Sequence, residues 1–62
     1  MCLSTVYKNT KTPDAIVMKN VMRIECKDGC VIVTDLMDRS VAIEGQLQEA
    51  TLVDGFVIVK EN

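Results

Sequence analysis

Two Asp-Gly dipeptides constrain the fold of this chain more than any other feature. Asp28-Gly29 lies near the middle of the chain and Asp54-Gly55 near its end, and each stands between runs of β-branched and other apolar residues. An Asp-Gly pair in that setting is among the strongest short-range signals for a β-hairpin. The two dipeptides therefore predict two antiparallel hairpins.

The segments between the turn signals have the alternation that is typical of short strands. Gln46 to Val53 does not distinguish helix from strand by itself, and the following Asp54-Gly55 favours a strand. The predicted strands are Leu3 to Lys8, Ala15 to Lys19, Val21 to Lys27, Cys30 to Asp35, Ser40 to Ile43, Gln48 to Val53 and Phe56 to Val59. Short strands joined by frequent turns, including breaks at Pro13 and Gly45, predict an all-β antiparallel barrel or sandwich. We expect a partly open barrel of five or six short strands, with an edge that a dimer would cover.

The length of the chain limits how much of its stability can come from a core. Its 62 residues suffice for one domain, residues 1–62, and are too few for two. A domain of this size buries only about 60% of the surface of its unfolded chain, and its core contributes roughly 3–5 kcal/mol. Small domains often add a bound metal or a partner subunit, so candidates for both are of interest in this chain.

The charge of the chain disfavours binding to nucleic acid. The formal net charge is −2, and acidic residues are interspersed among the seven Lys and Arg residues. A phosphate backbone is bound by clustered basic residues, which this pattern does not provide. One Tyr and one Phe offer few surfaces on which bases could stack.

No catalytic constellation can be assembled from these residues. The chain has no His, so Ser4 and Tyr7 lack the usual base that activates a nucleophile. It also has no Gly-rich phosphate loop. The acidic residues that could form carboxylate pairs are expected to be solvated surface charges; they are Glu25, Asp35, Asp38 and Glu49. We therefore expect a binding protein and not an enzyme.

Features of a secretory leader or a membrane span are missing from the sequence. The N-terminus lacks the basic segment, apolar stretch and small-residue cleavage site of a signal peptide. The apolar runs reach about four residues, far less than a membrane helix needs. We expect a cytoplasmic protein whose three cysteines remain reduced.

Cys26 and Cys30 flank the first predicted hairpin turn, and the length of that turn decides whether they can act together. In a two-residue turn at Asp28-Gly29, Cys26 faces Val31 and the two thiols lie on opposite faces of the hairpin. In a three-residue loop that includes Lys27, the cysteines face each other and could bind a metal or form a disulfide. A zinc knuckle needs a second pair of ligands. The favoured interpretation is two inert, small apolar residues.

Cys2 differs from the other cysteines because it directly follows Met1. Removal of Met1 would leave an amine and a thiolate on neighbouring carbons, which close a five-membered ring on a metal. If Met1 stays, its amine joins the amide nitrogen and the sulfur of Cys2 as a third donor. Mixed nitrogen and sulfur donors in a plane suit Ni(II) or Cu(II). Alternatively, Cys2 packs against the core at the start of a strand or is an incidental thiol.

The methionines offer a second kind of metal donor. Met is more often a gap-filling core residue than a thioether ligand for Cu(I), and we expect the gap-filling role for Met1, Met18, Met22 and Met37.

At Cys2, one chain supplies at most two or three donors. A two-fold dimer that brings two Cys2 residues together supplies a full set, because identical ligands lie opposite each other. The ligand count and the small core therefore both predict a homodimer.

The opening Met1-Cys2-Leu3-Ser4-Thr5-Val6-Tyr7 resembles the start of the CooT family of small nickel-binding proteins. The resemblance extends over nearly the whole chain. It includes a short strand ending near Asn20-Val21, the hairpin at Asp28-Gly29, the strand from Val31 to Leu36 and the closing hairpin at Asp54-Gly55. Cys26 and Cys30 are not part of the family pattern.

The resemblance implies an SH3-like or Sm-like barrel, a homodimer, and Ni(II) bound through Cys2 as the one ligand residue carried over. It also implies nickel storage or delivery, with a nickel enzyme such as carbon monoxide dehydrogenase as a maturation client. The family has been labelled a predicted RNA-binding protein as well. An RNA- or protein-interaction barrel without metal is therefore the alternative, although the acidic pI near 4.8 argues against RNA.

Overall fold

The computed structural model describes residues 3–62, and β-strands make up most of this part of the chain. The elements are β1 Ser4–Lys8, a 3-10 helix Pro13–Ala15, β2 Ile16–Lys27, β3 Cys30–Asp35, β4 Ser40–Thr51 and β5 Phe56–Glu61. The prediction of an all-β barrel is confirmed.

The five strands form a closed barrel in the order β1-β2-β3-β4-β5. Consecutive strands pair antiparallel, and a parallel ladder between β1 and β5 closes the barrel, running from Thr5 opposite Phe56 to Lys8 opposite Val59. The prediction of a five- or six-stranded antiparallel barrel is thus confirmed, and only the expectation that it is partly open is wrong. Because this ladder lies within the chain, the case for a dimer cannot rest on covering an open β1 or β5 edge.

The strands β2 and β4 are each twelve residues long, where the sequence predicted two shorter strands in each place. Residues 16–21 of β2 pair with β1, and residues 21–27 pair with β3. In β4, the change of partner from β3 to β5 falls at Gly45. Asn20, with a φ of 57°, and Gly45 disturb the sequence pattern without ending a strand. Each lies at a bend where the strand passes from one neighbour to the next.

Gly45 lies where β4 crosses closely over the end of β5. A Cβ atom on Gly45 would collide with the backbone carbonyl oxygen of Lys60 and would lie 2.9 Å from the Cα of Glu61. A glycine in a strand commonly marks such a close backbone approach. The bend in β4 therefore requires glycine at this position.

The two hairpin turns differ in length. Lys27 pairs with Cys30, so Asp28-Gly29 is a two-residue turn, as one of the two alternatives predicted. In the second hairpin Thr51 pairs with Phe56, and the turn comprises residues 52–55. β4 therefore ends at Thr51 and not at the predicted Val53.

The core of the barrel is small and consists of β-branched side chains. Met18 and two other half-buried residues, Val17 and Ile24, pack against it. Its buried members are Val6, Val21, Val31, Val33, Ile43, Val57 and Val59. Close packing of β-branched residues on a pleated surface accounts for a barrel built on so few side chains.

Asp35 is buried, with 3% of its surface exposed, so its assignment as a solvated surface charge is wrong. The backbone N–H groups of Met37 and Arg39 each donate a 2.9 Å hydrogen bond to its Oδ1. The Arg39 Nε donates to Oδ2 at 2.9 Å. Asp35 thus holds the turn of residues 36–39. The hydrogen bond from the Arg39 N–H lowers the pKa of Asp35, and this outweighs the upward effect of burial.

The depressed pKa predicts how stability depends on pH. An Asp whose folded pKa is lowered stabilises the protein above its unfolded pKa of about 3.9, and this contribution is lost as the pH falls through the folded pKa. Asp35→Asn should therefore have a lower free energy of unfolding than wild type in urea denaturation at pH 7. The difference between the two proteins should be smaller at pH 3. Asp38→Asn, an exposed change in the same turn, is the control. If Asp35→Asn lowered the free energy of unfolding by the same amount at both pH values, the charge of the Asp35 carboxylate would not be what stabilises the turn.

Candidate metal centre

The first described residues of the chain are held between a hairpin turn and the bend of β2. The Thr5 N–H donates to the carbonyl oxygen of Gly55 at 2.9 Å. The carbonyl oxygen of Leu3 lies 3.4 Å from where a Cβ on Gly55 would be. On the opposite side, Ser4 pairs with Val21. The start of β1 therefore has a defined place at the end of the barrel.

Cys2, the predicted metal ligand, lies outside the described residues, as does Met1. Leu3 is half-buried beside the turn of residues 52–55. Metal binding by Cys2 stays a prediction.

Cys26 and Cys30 do not form a shared site. Cys30 lies opposite Lys27, whereas Cys26 lies opposite Val31. Because side chains alternate between the faces of a strand, the two thiols lie on opposite faces of the hairpin. Both are free thiols, with Cys26 exposed and Cys30 half-buried. The three-residue loop that would have brought them face to face is not what this hairpin adopts.

The other potential metal ligands of the described residues are dispersed over the barrel. Within residues 3–62, no three His, Cys, Asp or Glu side chains lie close enough together to hold a metal ion. Glu25 lies 3.8 Å from the guanidinium of Arg23, and Glu49 accepts a 3.3 Å hydrogen bond from the Thr51 hydroxyl. Both carboxylates are exposed, as the sequence predicted.

The methionines divide between core and surface. Met18 packs against the core, which agrees with the expected gap-filling role. Met22 and Met37 are 51% and 73% exposed, so the expectation of a core position is wrong for both. Met22 follows the bend of β2, and Met37 lies in the turn that Asp35 holds.

An exposed apolar pair that the sequence does not predict lies in the turn next to the start of β1. Leu52 and Val53 are 80% and 93% exposed in the turn of residues 52–55. The turn signal at Asp54-Gly55 predicts that these two residues end a strand, paired with Phe56 to Val59. One signal was available, since two consecutive apolar residues break the period of two that a half-buried strand shows.

The chain matches the family model of CooT, the CO dehydrogenase accessory protein, over residues 1–60. This match covers nearly the whole chain and includes Cys2. The chain belongs to the CooT family. Its membership confirms the resemblance drawn from the sequence and indicates an accessory role in CO dehydrogenase maturation. Among curated proteins, none matches the chain.

The barrel also resembles a solved structure. A protein from Carboxydothermus hydrogenoformans whose crystal structure was assigned to CooT superposes with a TM-score of 0.84, and the match covers 98% of each chain. The two sequences are 10% identical, so this likeness concerns the fold alone. No helix within residues 3–62 is long and apolar enough to cross a membrane.

Proposed function

We propose that this CooT protein binds Ni(II) through Cys2 at the interface of a homodimer, and that it stores or delivers the ion in the cytoplasm. The recipient would be a nickel enzyme, and CO dehydrogenase is the client that the family's description suggests. The proposal is carried by the family match, which begins at residue 1 and so includes the Met1-Cys2 start. In this role the protein binds and transfers an ion and catalyses no reaction.

The donors at the N-terminus fit nickel by their chemistry. A thiolate with an adjacent amine, or with an amide nitrogen and an amine, gives the mixed nitrogen and sulfur set that a square-planar Ni(II) accepts. One chain offers two or three of these donors, and two chains offer a complete set. An isologous dimer supplies both halves by symmetry.

A site shared between two chain ends suits a protein that must release its metal. The proposed ligand precedes β1 in the sequence, and the buried core lies within residues 6–59, so exchange of ligands need not disturb the barrel. Separation of the two chains would halve the ligand set and weaken binding. Protonation of the thiolates would have the same effect, so affinity should fall with falling pH.

A nickel titration of the reduced protein tests the proposal. Absorption spectroscopy should show a thiolate-to-nickel charge-transfer band that saturates at one metal per two chains. Saturation at one metal per chain would contradict the shared site and would indicate a metal site within a single chain. Absence of any band would remove the nickel proposal and leave an interaction barrel without metal as the remaining function.

A further inference from the structure

We propose that the barrel binds an extended segment of another protein along an unpaired edge of β4, near the end of β1. The segment would carry a basic, an apolar and an acidic side chain at alternate positions, in that order along its chain. The surface that receives it is here called the β4 groove and is lined by Val17, Lys19, Val41, Glu44 and Glu61. The proposal goes beyond nickel binding and does not depend on it.

The β4 groove lies where a core-facing side chain of the barrel is left uncovered. Val41 pairs with Val33, and the side chains of paired residues lie on the same face of a sheet. Val33 is fully buried, whereas Val41 is 39% exposed. Val41 and Val17 both line two adjacent clefts, of about 410 and 380 Å³. The two clefts therefore form one continuous groove with an apolar centre.

The backbone of β4 beside this groove has an unpaired edge. Residues 40–44 of β4 pair with β3 on one edge, and pairing with β5 on the other edge begins only at Gly45. Next to Gly45, the Asn62 N–H donates to the carbonyl oxygen of Glu44 at 3.0 Å. Within residues 3–62, no strand pairs with residues 40–43 on that second edge. Such an edge can accept a further strand through backbone hydrogen bonds.

One end of the groove is basic. Lys19 is exposed and lines this end together with Arg39. The Arg39 Nε lies 2.9 Å from the buried carboxylate of Asp35, which offsets the charge of Arg39. Lys19 forms no ion pair with any of the described residues. Lys19 is therefore the cation that can meet an acidic side chain of a bound segment.

The other end of the groove is acidic. Glu44 and Glu61 line it, and the Lys8 Nζ lies 3.6 Å from Glu61, so that these two charges offset each other. Glu44 is exposed and has no ion pair in the part of the chain that the structure describes. It is the anion that can meet a basic side chain. A nucleic-acid backbone, which is negative along its whole length, would be repelled at this end.

Strand geometry relates the two ends of the groove to the sequence of the segment. A strand rises about 3.3 Å per residue, so Ser40 and Glu44 lie about 13 Å apart, as do residues i and i+4 of a bound strand. Side chains i, i+2 and i+4 then reach one end, the apolar centre at Val41, and the other end. Antiparallel pairing is the more stable kind, and an antiparallel segment would run from the Glu44 end to the Lys19 end. Its order is therefore basic, apolar, acidic.

Fluorescence anisotropy of a labelled peptide with the full chain tests the proposal. The peptide is Ser-Lys-Thr-Val-Thr-Glu-Ser, and the control peptide has its Lys and Glu exchanged, so that composition and net charge are the same. The first peptide should bind at least about 10-fold more tightly, because the exchange turns both charge contacts from attraction to repulsion. The ratio should fall in about 0.5 M salt, since exposed charges are screened.

A charge exchange in the protein should invert this preference. Lys19→Glu combined with Glu44→Lys should bind the control peptide more tightly than the first peptide. Both side chains are exposed, so the fold should be retained, and circular dichroism checks it. The matched control is Arg23→Glu with Glu25→Arg, which exchanges two exposed charges on the half of β2 that pairs with β3. This control should keep the wild-type preference.

Methylation of the peptide backbone tests strand addition separately from the charges. Alternate N–H groups of a strand point to opposite edges, so only one alternate set can bond to β4. One peptide is methylated on the nitrogens of Lys, Val and Glu, and another on those of the two Thr residues. One of these peptides should lose binding and the other should retain it.

Several results would overturn the proposal. Equal binding of the two unmethylated peptides by the wild-type chain is one, and a wild-type preference in the Lys19→Glu, Glu44→Lys chain is another. Retained binding by both methylated peptides would exclude strand addition. Failure of either peptide to bind would also overturn it, and a Val41→Ser chain that sediments more slowly than wild type would then show that a second copy covers the groove. Peptide binding should be unchanged in Cys2→Ser, which separates this site from the nickel proposal.

Discussion

Replacing Cys2 by Ser should lower the affinity for Ni(II) by about 100-fold or more and remove the thiolate-to-nickel absorption band. Loss of a residue that merely orients a metal ligand costs about 10- to 100-fold in affinity, so loss of the thiolate itself should cost at least the upper value. The fold should remain intact, because the buried core lies within residues 6–59. Isothermal titration calorimetry measures the affinity, and circular dichroism checks the fold.

Two matched variants complete this experiment. Cys26→Ser and Cys30→Ser remove thiols from opposite faces of the first hairpin, and neither should change nickel affinity appreciably. The Cys2→Ser protein would contradict the proposal if it bound nickel as tightly as wild type. A loss of binding confined to Cys26→Ser would place the metal in the cleft that Cys26 lines with Leu47.

Replacing Gly45 by Ala should destabilise the barrel by about 3 kcal/mol, near the upper end of what overpacking costs. The added methyl group would meet the Lys60 carbonyl oxygen and the Glu61 Cα, which are backbone atoms that cannot rotate away. Relief would require β4 and β5 to separate where the barrel bends. A chain of this length has a stability of roughly 3–9 kcal/mol, so the loss would be a large part of it. Urea denaturation followed by circular dichroism measures the change.

Gly29→Ala is the control for this substitution. Gly29 has a φ of 78°, and no atom lies within 4 Å of the position of an added Cβ. The change should therefore cost only about 1 kcal/mol, from the left-handed backbone conformation. Equal losses for the two variants would show that backbone conformation, and not the close approach of β5, accounts for glycine at position 45.

The local parts of the fold were predictable because their causes are local. The turn at Asp28-Gly29 follows from the backbone preferences of two adjacent residues, and strand alternation on either side follows from the pleat. Asn20 and Gly45 also act locally. In the sequence, however, a bend within a strand and the end of a strand interrupt the alternation of apolar and polar residues in the same way. Only the pairing of β2 and β4 with two neighbours each distinguishes a bend from an end.

The candidate site shows the same division. The donor chemistry proposed for Cys2 depends on its place directly after Met1 and needs no knowledge of the fold. The relation between Cys26 and Cys30 depended on a register that the sequence left open between two alternatives, and the pairing of Lys27 with Cys30 decided it. The exposed turn at Leu52 and Val53 became apparent only when Thr51 was seen to pair with Phe56.

By itself, the sequence determined the β-strand content, the position of the first hairpin turn and the family, and it predicts Cys2 as the metal ligand. Each of these depends on residues that are close together in the chain. The tertiary structure decided that the barrel is closed, that Asp35 is buried and that the start of β1 lies beside an apolar turn. These features depend on contacts between distant segments, such as Thr5 with Phe56, and local preferences do not specify which distant segments pair.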